Sequence, residues 1–411
     1  MISLITSIDD NSKFSVCKRL IECALRDFWK GVNIEAWIEF CRVGRASSVH
    51  DNDLELVFQF IEVQHFVMVS LSGRLGADIR KASLYGRDDF LESVAISLEA
   101  RFGGIVPANL MRAYLFSIIS RDAAAAMLGG NLIEHQNLIQ KSNFETGAWT
   151  YFSSKDVESY ESRAIGEISE HLWLREAVAR EASRGDSPVV LVSCDAVYFR
   201  RLSYLFSIAR IAYPRVRFHF VVTESEADAR LLLEDFDVLE RTLLRFRGQG
   251  EGGGVGVSAL PSPSRSLTKT FAACARYLVA QQISDFYRAG VLIMDADMLM
   301  EDDPSAFFRN LSKFDVSAGV SRGLMSLVPW RRIFAGSLYF SPSALGGDFI
   351  SSAKSYIELG FERGARWYLD QNALTYAYER HRLYSSAKFS NNHGLSRTIQ
   401  QRGLCKKLLV I

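Results

Sequence analysis

The 411-residue sequence lacks an excess of either charge: 48 basic and 47 acidic side chains leave a formal net charge of +1. That balance removes the electrostatic case for a nucleic-acid partner or an acidic membrane surface and leaves room only for local basic patches. The sequence also lacks Cys-x-x-Cys pairs. Its six cysteines, Cys17, Cys23, Cys41, Cys194, Cys274 and Cys405, are scattered. A disulfide framework or structural zinc site is therefore a poor reading, and reduced, mostly buried thiols in a cytoplasmic protein fit better. The first ten residues carry no basic segment and meet acid at Asp9, unlike a secretory leader. The longest early apolar stretch, Phe58 to Leu71, is interrupted by Gln59, Glu62, Gln64 and His65. It reads as too short and too polar to span a bilayer, so no transmembrane segment is expected. The glycine-rich run Gly248–Gly254 has no Gly-Lys-Ser/Thr ending and reads as a mobile surface loop rather than a phosphate cradle.

What is present is enough apolar material for two cores: 48% hydrophobic and 12% aromatic residues in a chain too long for one ordinary domain. Residues 12–180 read as helices. Phe14, Val16, Leu20, Ile21, Ala24 and Phe28 recur at three- and four-residue steps. Asp88 or Asp89 can cap a segment carrying Phe90, Leu91, Val94 and Leu98, and Pro107 suits a first helical turn. Gly-Gly pairs at 103–104 and 129–130 punctuate the pattern. We expect an all-α domain over 1–184, repeat-like in helix length but without a motif at a fixed period, that binds an acceptor or partner. His50, His65 and His135 have no ligand-like spacing.

The pattern changes near Gly185. Pro188–Ser193, Val216–Val222 and Val291–Met294 read as strands, with helical segments between them. The alternation predicts an α/β domain over 185–411 with a mostly parallel sheet and flanking helices. Ligands of such sheets bind beyond the carboxyl ends of the strands.

Three constellations could carry chemistry there. The first is Val291-Leu-Ile-Met-Asp295-Ala-Asp297, a buried strand ending in two carboxylates. In a continuing strand, residues i and i+2 share a face, so both could hold Mn²⁺ or Mg²⁺ against phosphate oxygens. The alternative is a pair of solvated turn residues. The second is Trp367-Tyr-Leu-Asp370-Gln371, where Asp370 either projects into a cleft or caps a helix. The third is His393, either an imidazole ligand or an exposed loop residue.

Together these pieces resemble the glycosyltransferases of the A-type (GT-A) fold, most closely the family 8 type, over residues 188–395. Leu191-Val-Ser-Cys-Asp195-Ala-Val-Tyr198 is similar to that family's first strand and turn. Ala275-Arg276 followed by Val291–Met300 is similar to its arginine-bearing helix and Asp-x-Asp strand. Ala335-Gly336, Asp370-Gln371 and His393 follow in the family's order. Phe334 stands where the family usually has Asn, and Ser396 and Ile399 occupy its late Gly and Lys steps, which leaves Arg397 or Lys388 as the alternative contact to the diphosphate. The resemblance implies a metal-dependent hexosyltransferase moving sugar from a nucleotide-diphospho-sugar, a uridine diphosphate (UDP) sugar first among them, to a saccharide, lipid or protein, with retention of configuration. It implies Asp295, Asp297 and His393 on the metal, and Asp195 and Tyr198 on the base and ribose. Arg276 would support the phosphates or orient the carboxylates, and Asp370 and Gln371 would line the sugar. Two rivals stand beside it. One is a haloacid-dehalogenase-like phosphatase with Asp295 as nucleophile, and the other a helical interaction protein that binds a nucleotide sugar without turnover.

Overall fold

The computed structural model describes residues 32–47, 52–75, 87–119, 154–160, 172–176, 187–212, 216–246, 255–263, 268–300, 304–321, 332–364, 368–391 and 399–401, with a few single positions before residue 32 and Phe152. The Gly248–Gly254 loop, His50, His135, His393 and Arg397 lie outside the described residues. The chain divides into two compact units. One comprises Met1–Ser159, Ser321–Arg332 and Gly364–Asn372; the other comprises Tyr160–Val320, Ile333–Arg363 and Ala373–Ile411.

The described elements of the first unit's N-terminal stretch are helices: α1 (Ile34–Ser47), α2 (Asn52–Leu75), α3 (Asp88–Phe102), α4 (Val106–Ile118) and the short α5 (Ser154–Glu158). Helix α2 is the centre of their core, burying Leu54, Val57, Phe58, Ile61, Val67 and Leu71 against Leu91 and Leu98 of α3 and Leu110 and Leu115 of α4. Its segment Leu54–Gly73 is long and apolar enough to cross a membrane by length and composition, with hydropathy 1.4, and 61% of that window is buried inside the protein. The apolar run expected from the sequence covers only Phe58 to Leu71, whereas the helix spans Asn52–Leu75. The helix in fact continues through the polar positions, because Gln64 is itself buried in the core. Gly44 lets α1 lie on α2: a Cβ there would sit 2.1 Å from the Phe58 ring.

The second unit is built on an eight-stranded sheet of order β1-β4-β3-β2-β5-β8-β7-β9. The strands are β1 (Leu172–Arg175), β2 (Val189–Cys194), β3 (Arg217–Val222), β4 (Val255–Ala259), β5 (Val291–Met294), β7 (Val316–Val320), β8 (Ile333–Phe340) and β9 (Phe389–Asn391). A separate two-stranded ribbon pairs β6 (Met298–Met300) with β10 (Ile399–Gln401). The helices are α6 (Ala196–Ala212), α7 (Glu226–Phe246), α8 (Thr268–Tyr287), α9 (Ser305–Leu311), α10 (Ala344–Glu362) and α11 (Leu369–Tyr384), whose first four residues are grouped with the first unit.

Strands β4, β3, β2 and β5 are mutually parallel. Strands β2, β4 and β5 are buried along their whole length, as strands covered on both faces must be. Val190, Val192, Phe218 and Phe220 meet Phe199 of α6 and Phe236 of α7 on one face. The opposite face carries Ser193, whose hydroxyl donates to the Ala272 carbonyl of α8, and His219. The His219 ring is fully buried because hydroxyls of Tyr287 and Ser258 lie 3.0 and 2.9 Å from its two nitrogens.

The parallel character expected from the sequence holds for this block and stops at its borders. Strands β1–β4, β5–β8 and β7–β8 pair antiparallel, and β7–β9 parallel. Strand β8 follows β7 without an intervening described crossover helix, and a reversal of that kind yields an antiparallel neighbour. Strand β1 also corrects the reading of residues 12–180 as helices. Leu172-Trp-Leu-Arg175 is half-buried throughout and pairs with β4.

Asp315 fastens the β7–β8–β9 corner. Its carboxylate accepts from the Ser343 hydroxyl at 2.7 Å and from the Lys388 amide at 2.8 Å, and its backbone pairs with Ser341 and Lys388. Burial alone would raise its pKa. The Lys388 amide, the Ser343 hydroxyl, the Lys388 charge and the Ser341 hydroxyl outweigh burial and hold it below the ordinary value. A depressed carboxyl contributes stability above its unfolded pKa of about 3.9 and loses it as pH falls through the lower folded value. Asp315→Asn should therefore lower stability at neutral pH by about 0.5–1 kcal/mol, since solvent screens a half-exposed carboxylate, read as a shift in denaturant midpoint. The gap between the two proteins should shrink as the pH drops below about 3.9.

Candidate functional site

The carboxyl edge of the parallel block gathers polar groups from successive strand ends. After β2 comes Asp195, after β3 Thr223 and Glu224, and after β5 Asp295 and Asp297. The centre of this edge is an ion pair. Arg276 lies on α8 with its side chain only 3% exposed, and its guanidinium pairs with Asp295, which is 30% exposed. The same Nη1 donates to the Met294 carbonyl at 3.0 Å. Arg276 is thus fixed to both the last backbone group of β5 and the first side chain beyond it. Its neighbour Tyr277 turns toward β8 instead, where its hydroxyl donates to the Ala335 carbonyl at 2.7 Å. Two consecutive residues of one helix tie down both strands that frame Asp295.

Gly336 of β8 is required by this arrangement. Its carbonyl accepts from the Asp295 amide at 3.0 Å. A Cβ at Gly336 would stand 2.6 Å from Asp295 Oδ2 and 2.6 Å from the Phe334 ring. The absent side chain therefore leaves the room in which the Asp295 carboxylate and the Phe334 ring both sit. Phe334 is 39% exposed, the one exposed residue of an otherwise buried strand.

The two aspartates do not continue a strand. Strand β5 ends at Met294, and Asp295, Ala296 and Asp297 form a turn closed by the Met298 amide on the Asp295 carbonyl at 3.1 Å. The i, i+2 argument for a shared face does not apply here, and proximity comes from the turn. Both residues are half-buried. Among the described residues there is no group of three or more His, Cys, Asp or Glu that could hold a metal ion. The pair Asp295 and Asp297 offers hard oxygen donors of the kind Mg²⁺ and Mn²⁺ prefer, with Asp295 Oδ1 engaged by Arg276 and Oδ2 facing the space over Gly336.

Asp195 has a structural task. Its Oδ1 accepts from the Tyr198 amide at 2.8 Å, which caps the start of α6, while the Tyr198 side chain stands 42% exposed. Glu224, which motif reading passed over, accepts from the Ala196 amide at 2.9 Å. Two carboxylates from different strand ends therefore satisfy the first turn of one helix. The signal for Glu224 was its place two residues beyond a buried strand. Cys194 beside them is buried. Burial, then the neighbouring Asp195 and Glu224 charges, push its thiol well above the ordinary range.

Asp370 and Gln371 occupy the first turn of α11, with Asp370 buried at 7% and Gln371 half-buried. They belong to the first compact unit, whereas Asp195, Arg276, Asp295 and Asp297 belong to the second. Tyr368, two residues ahead of Asp370, has a φ of +69° and accepts from the Asn372 amide at 3.2 Å. On the other side of the unassigned His393, the described β10 pairs with β6 so that Gln401 stands opposite Met298, directly after Asp297.

The ion pair makes a stability prediction. Arg276→Met should cost about 3 kcal/mol, since one partner of a largely buried pair is removed. Arg276→Lys should recover only part, because an ammonium cannot hold the carboxylate and the carbonyl with a planar fork. Thermal and denaturant midpoints of both variants check this.

No family model matches the chain, and no curated protein matches it by sequence. Among solved structures, it is similar to the glycosyltransferase GlyE of Streptococcus pneumoniae TIGR4, at 17% identity and a TM-score of 0.33 over 51% of this chain and 46% of that one. It is similar to the galactosyltransferase LgtC, solved with donor and acceptor sugar analogs, at 16% identity and a TM-score of 0.34 over 54% of this chain and 82% of that one. It is similar to mouse xyloside xylosyltransferase 1 at 12% identity and a TM-score of 0.32 over 50% of this chain and 85% of that one. The chain spans less than half the length of GlyE and of the bifunctional glycosyltransferase WbbM, at 46% and 39%.

Proposed function

We propose that the carboxyl edge of the parallel block binds a nucleotide-diphospho-sugar, with UDP as its first nucleotide, and that the protein transfers the hexose to an acceptor with retention of configuration. The observation that carries this reading is the Asp295–Asp297 turn, with Asp295 oriented by the buried Arg276 at the end of a central parallel strand. Asp297 and Asp295 would hold Mn²⁺ or Mg²⁺, with His393 as a third ligand. When bound, such a cation neutralises charge on the departing diphosphate. Arg276 is a positioning residue: it fixes the Asp295 carboxylate at the end of β5.

Tyr198 offers an exposed ring beside the α6 N-terminus for the base, and Asp195 holds that turn in shape. Phe334 contributes an apolar face next to the Asp295 carboxylate. Asp370 and Gln371 serve the sugar and acceptor side. The N-terminal helices serve an acceptor, whether saccharide, lipid or protein, in the cytoplasm.

The test is donor turnover. Asp297→Asn should lower UDP release from UDP-sugars by at least about 100-fold while leaving the thermal midpoint unchanged. Turnover near that of the unmodified protein would sink the assignment. A second measurement separates the two halves of the reading. Asp370→Asn should leave the calorimetric affinity for UDP with Mn²⁺ within twofold, by about 0.4 kcal/mol, and reduce the transfer rate. A loss of nucleotide affinity in this variant would move Asp370 from the sugar to the diphosphate.

A further inference from the structure

Phe334 breaks the rule of its strand: β8 is buried everywhere else, and this ring is exposed. Antiparallel pairing sets Ser337 opposite Met294, the last residue of β5, so Phe334 overhangs the carboxyl edge of the parallel block. A bulge brings it there. Along β7 the register advances from Ala318 to Gly319, while the partners on β8 pass from Leu338 to Phe334. Ala335, Gly336 and Ser337 are left unopposed on that side. A bulge of this kind bends its strand and re-aims a side chain. Here it is pinned. The Ala335 carbonyl accepts from the Tyr277 hydroxyl at 2.7 Å, and the Gly336 carbonyl accepts from the Asp295 amide at 3.0 Å.

The same residues set the ring beside the carboxylate. One carbon added at Gly336 would meet both Asp295 Oδ2 and the tip of the Phe334 ring, each at 2.6 Å. Among the described residues, the exposed aromatic side chains are Tyr198, Phe286 and Phe334. Phe286 is stacked on Trp173, with ring centroids 4.0 Å apart. The other two stand at the carboxyl edge, Tyr198 just after β2 and Phe334 on β8. Strand β5 runs between β2 and β8, so the Asp295–Asp297 turn lies between the two aromatic positions. A nucleotide-diphospho-sugar has its parts in the same order: a planar base, a charged bridge and a sugar ring.

We infer that Phe334 is a specificity-determining residue whose ring carries the C–H face of the donor's hexose. This rests on the reading of the site given above. A pyranose presents polarised C–H bonds wherever its hydroxyls leave a face open, and the negative face of an aromatic ring attracts them. The hexose is joined directly to the diphosphate. With the diphosphate at Asp295 and Asp297 and the base toward Tyr198, the sugar falls on the β8 side, against Phe334. The donor class selected is then a hexose with an unobstructed C–H face.

The test is calorimetry on the full chain with Mn²⁺, using UDP, UDP-glucose and UDP-galactose as probes. Phe334→Ala should weaken the better-bound UDP-hexose at least about fivefold, the size of one aromatic contact, and leave UDP within about twofold. Phe334→Tyr keeps the ring and should bind the UDP-hexose as the unmodified protein does. Phe334→Leu keeps apolar bulk beside Gly336 without the ring face, and should still weaken the UDP-hexose about threefold. Thermal midpoints confirm that each variant is folded. Unchanged UDP-hexose affinity in folded Phe334→Ala or Phe334→Leu, or an equal loss for UDP and UDP-hexose, overturns the role of Phe334 and leaves the reading of the site standing. Failure of the unmodified protein to bind UDP overturns that reading, and this inference with it.

Discussion

A guanidinium held almost wholly out of water is costly, and the second unit is organised around making that burial tolerable. Arg276 meets a carboxylate and a strand-end carbonyl at once, so both its charge and part of its hydrogen-bonding capacity are answered. The answer constrains everything near it. Strand β5 must stop at Met294 to present that carbonyl, and Asp295 must turn back. Residue 336 must lack a side chain to leave the carboxylate room. Tyr277, one residue along the helix, fixes β8 so that residue 336 is where it has to be. The geometry of the carboxylate pair follows from a helix behind the sheet more than from the loop that bears it.

Much of the second unit could be read without coordinates, and the reasons are physical. Strands β2 and β5 are near-continuous apolar runs because both of their faces are covered, and β3 alternates before it becomes apolar. Strand β1 was invisible: four half-buried residues with a single edge partner leave no period of two to count. The antiparallel course of β8 was equally hidden, since an apolar strand does not encode its direction. The i, i+2 argument for Asp295 and Asp297 assumed a continuing strand face, where the structure has a turn. Asp195 was singled out for a ligand, and its observed partner is a helix N-terminus. Glu224 does the same work and carried no motif at all.

The two units achieve order by different means. The helical one is a core around a single long apolar helix, where close approach depends on Gly44 under Phe58. The sheet unit relies on buried polar groups with assigned partners, such as His219 between two hydroxyls and Asp315 at a corner of three strands. Apolar packing tolerates exchanges of similar volume, whereas a satisfied polar network loses all its members' complementarity when one is changed. Substitutions in the sheet unit should be correspondingly less interchangeable.

The two borders of the large sheet have a consequence for the behaviour of the chain in concentrated solution. Its outermost strands, β1 and β9, are only four and three residues long. A bare strand edge offers a row of backbone donors and acceptors to any other chain, and the number of bonds such an edge can make limits how well it templates intermolecular pairing. Among the described residues the longer apolar strands lie in the interior, and the two outermost strands offer few backbone groups for such pairing. Within that described sheet, the shortness of the margins is what limits edge-to-edge pairing.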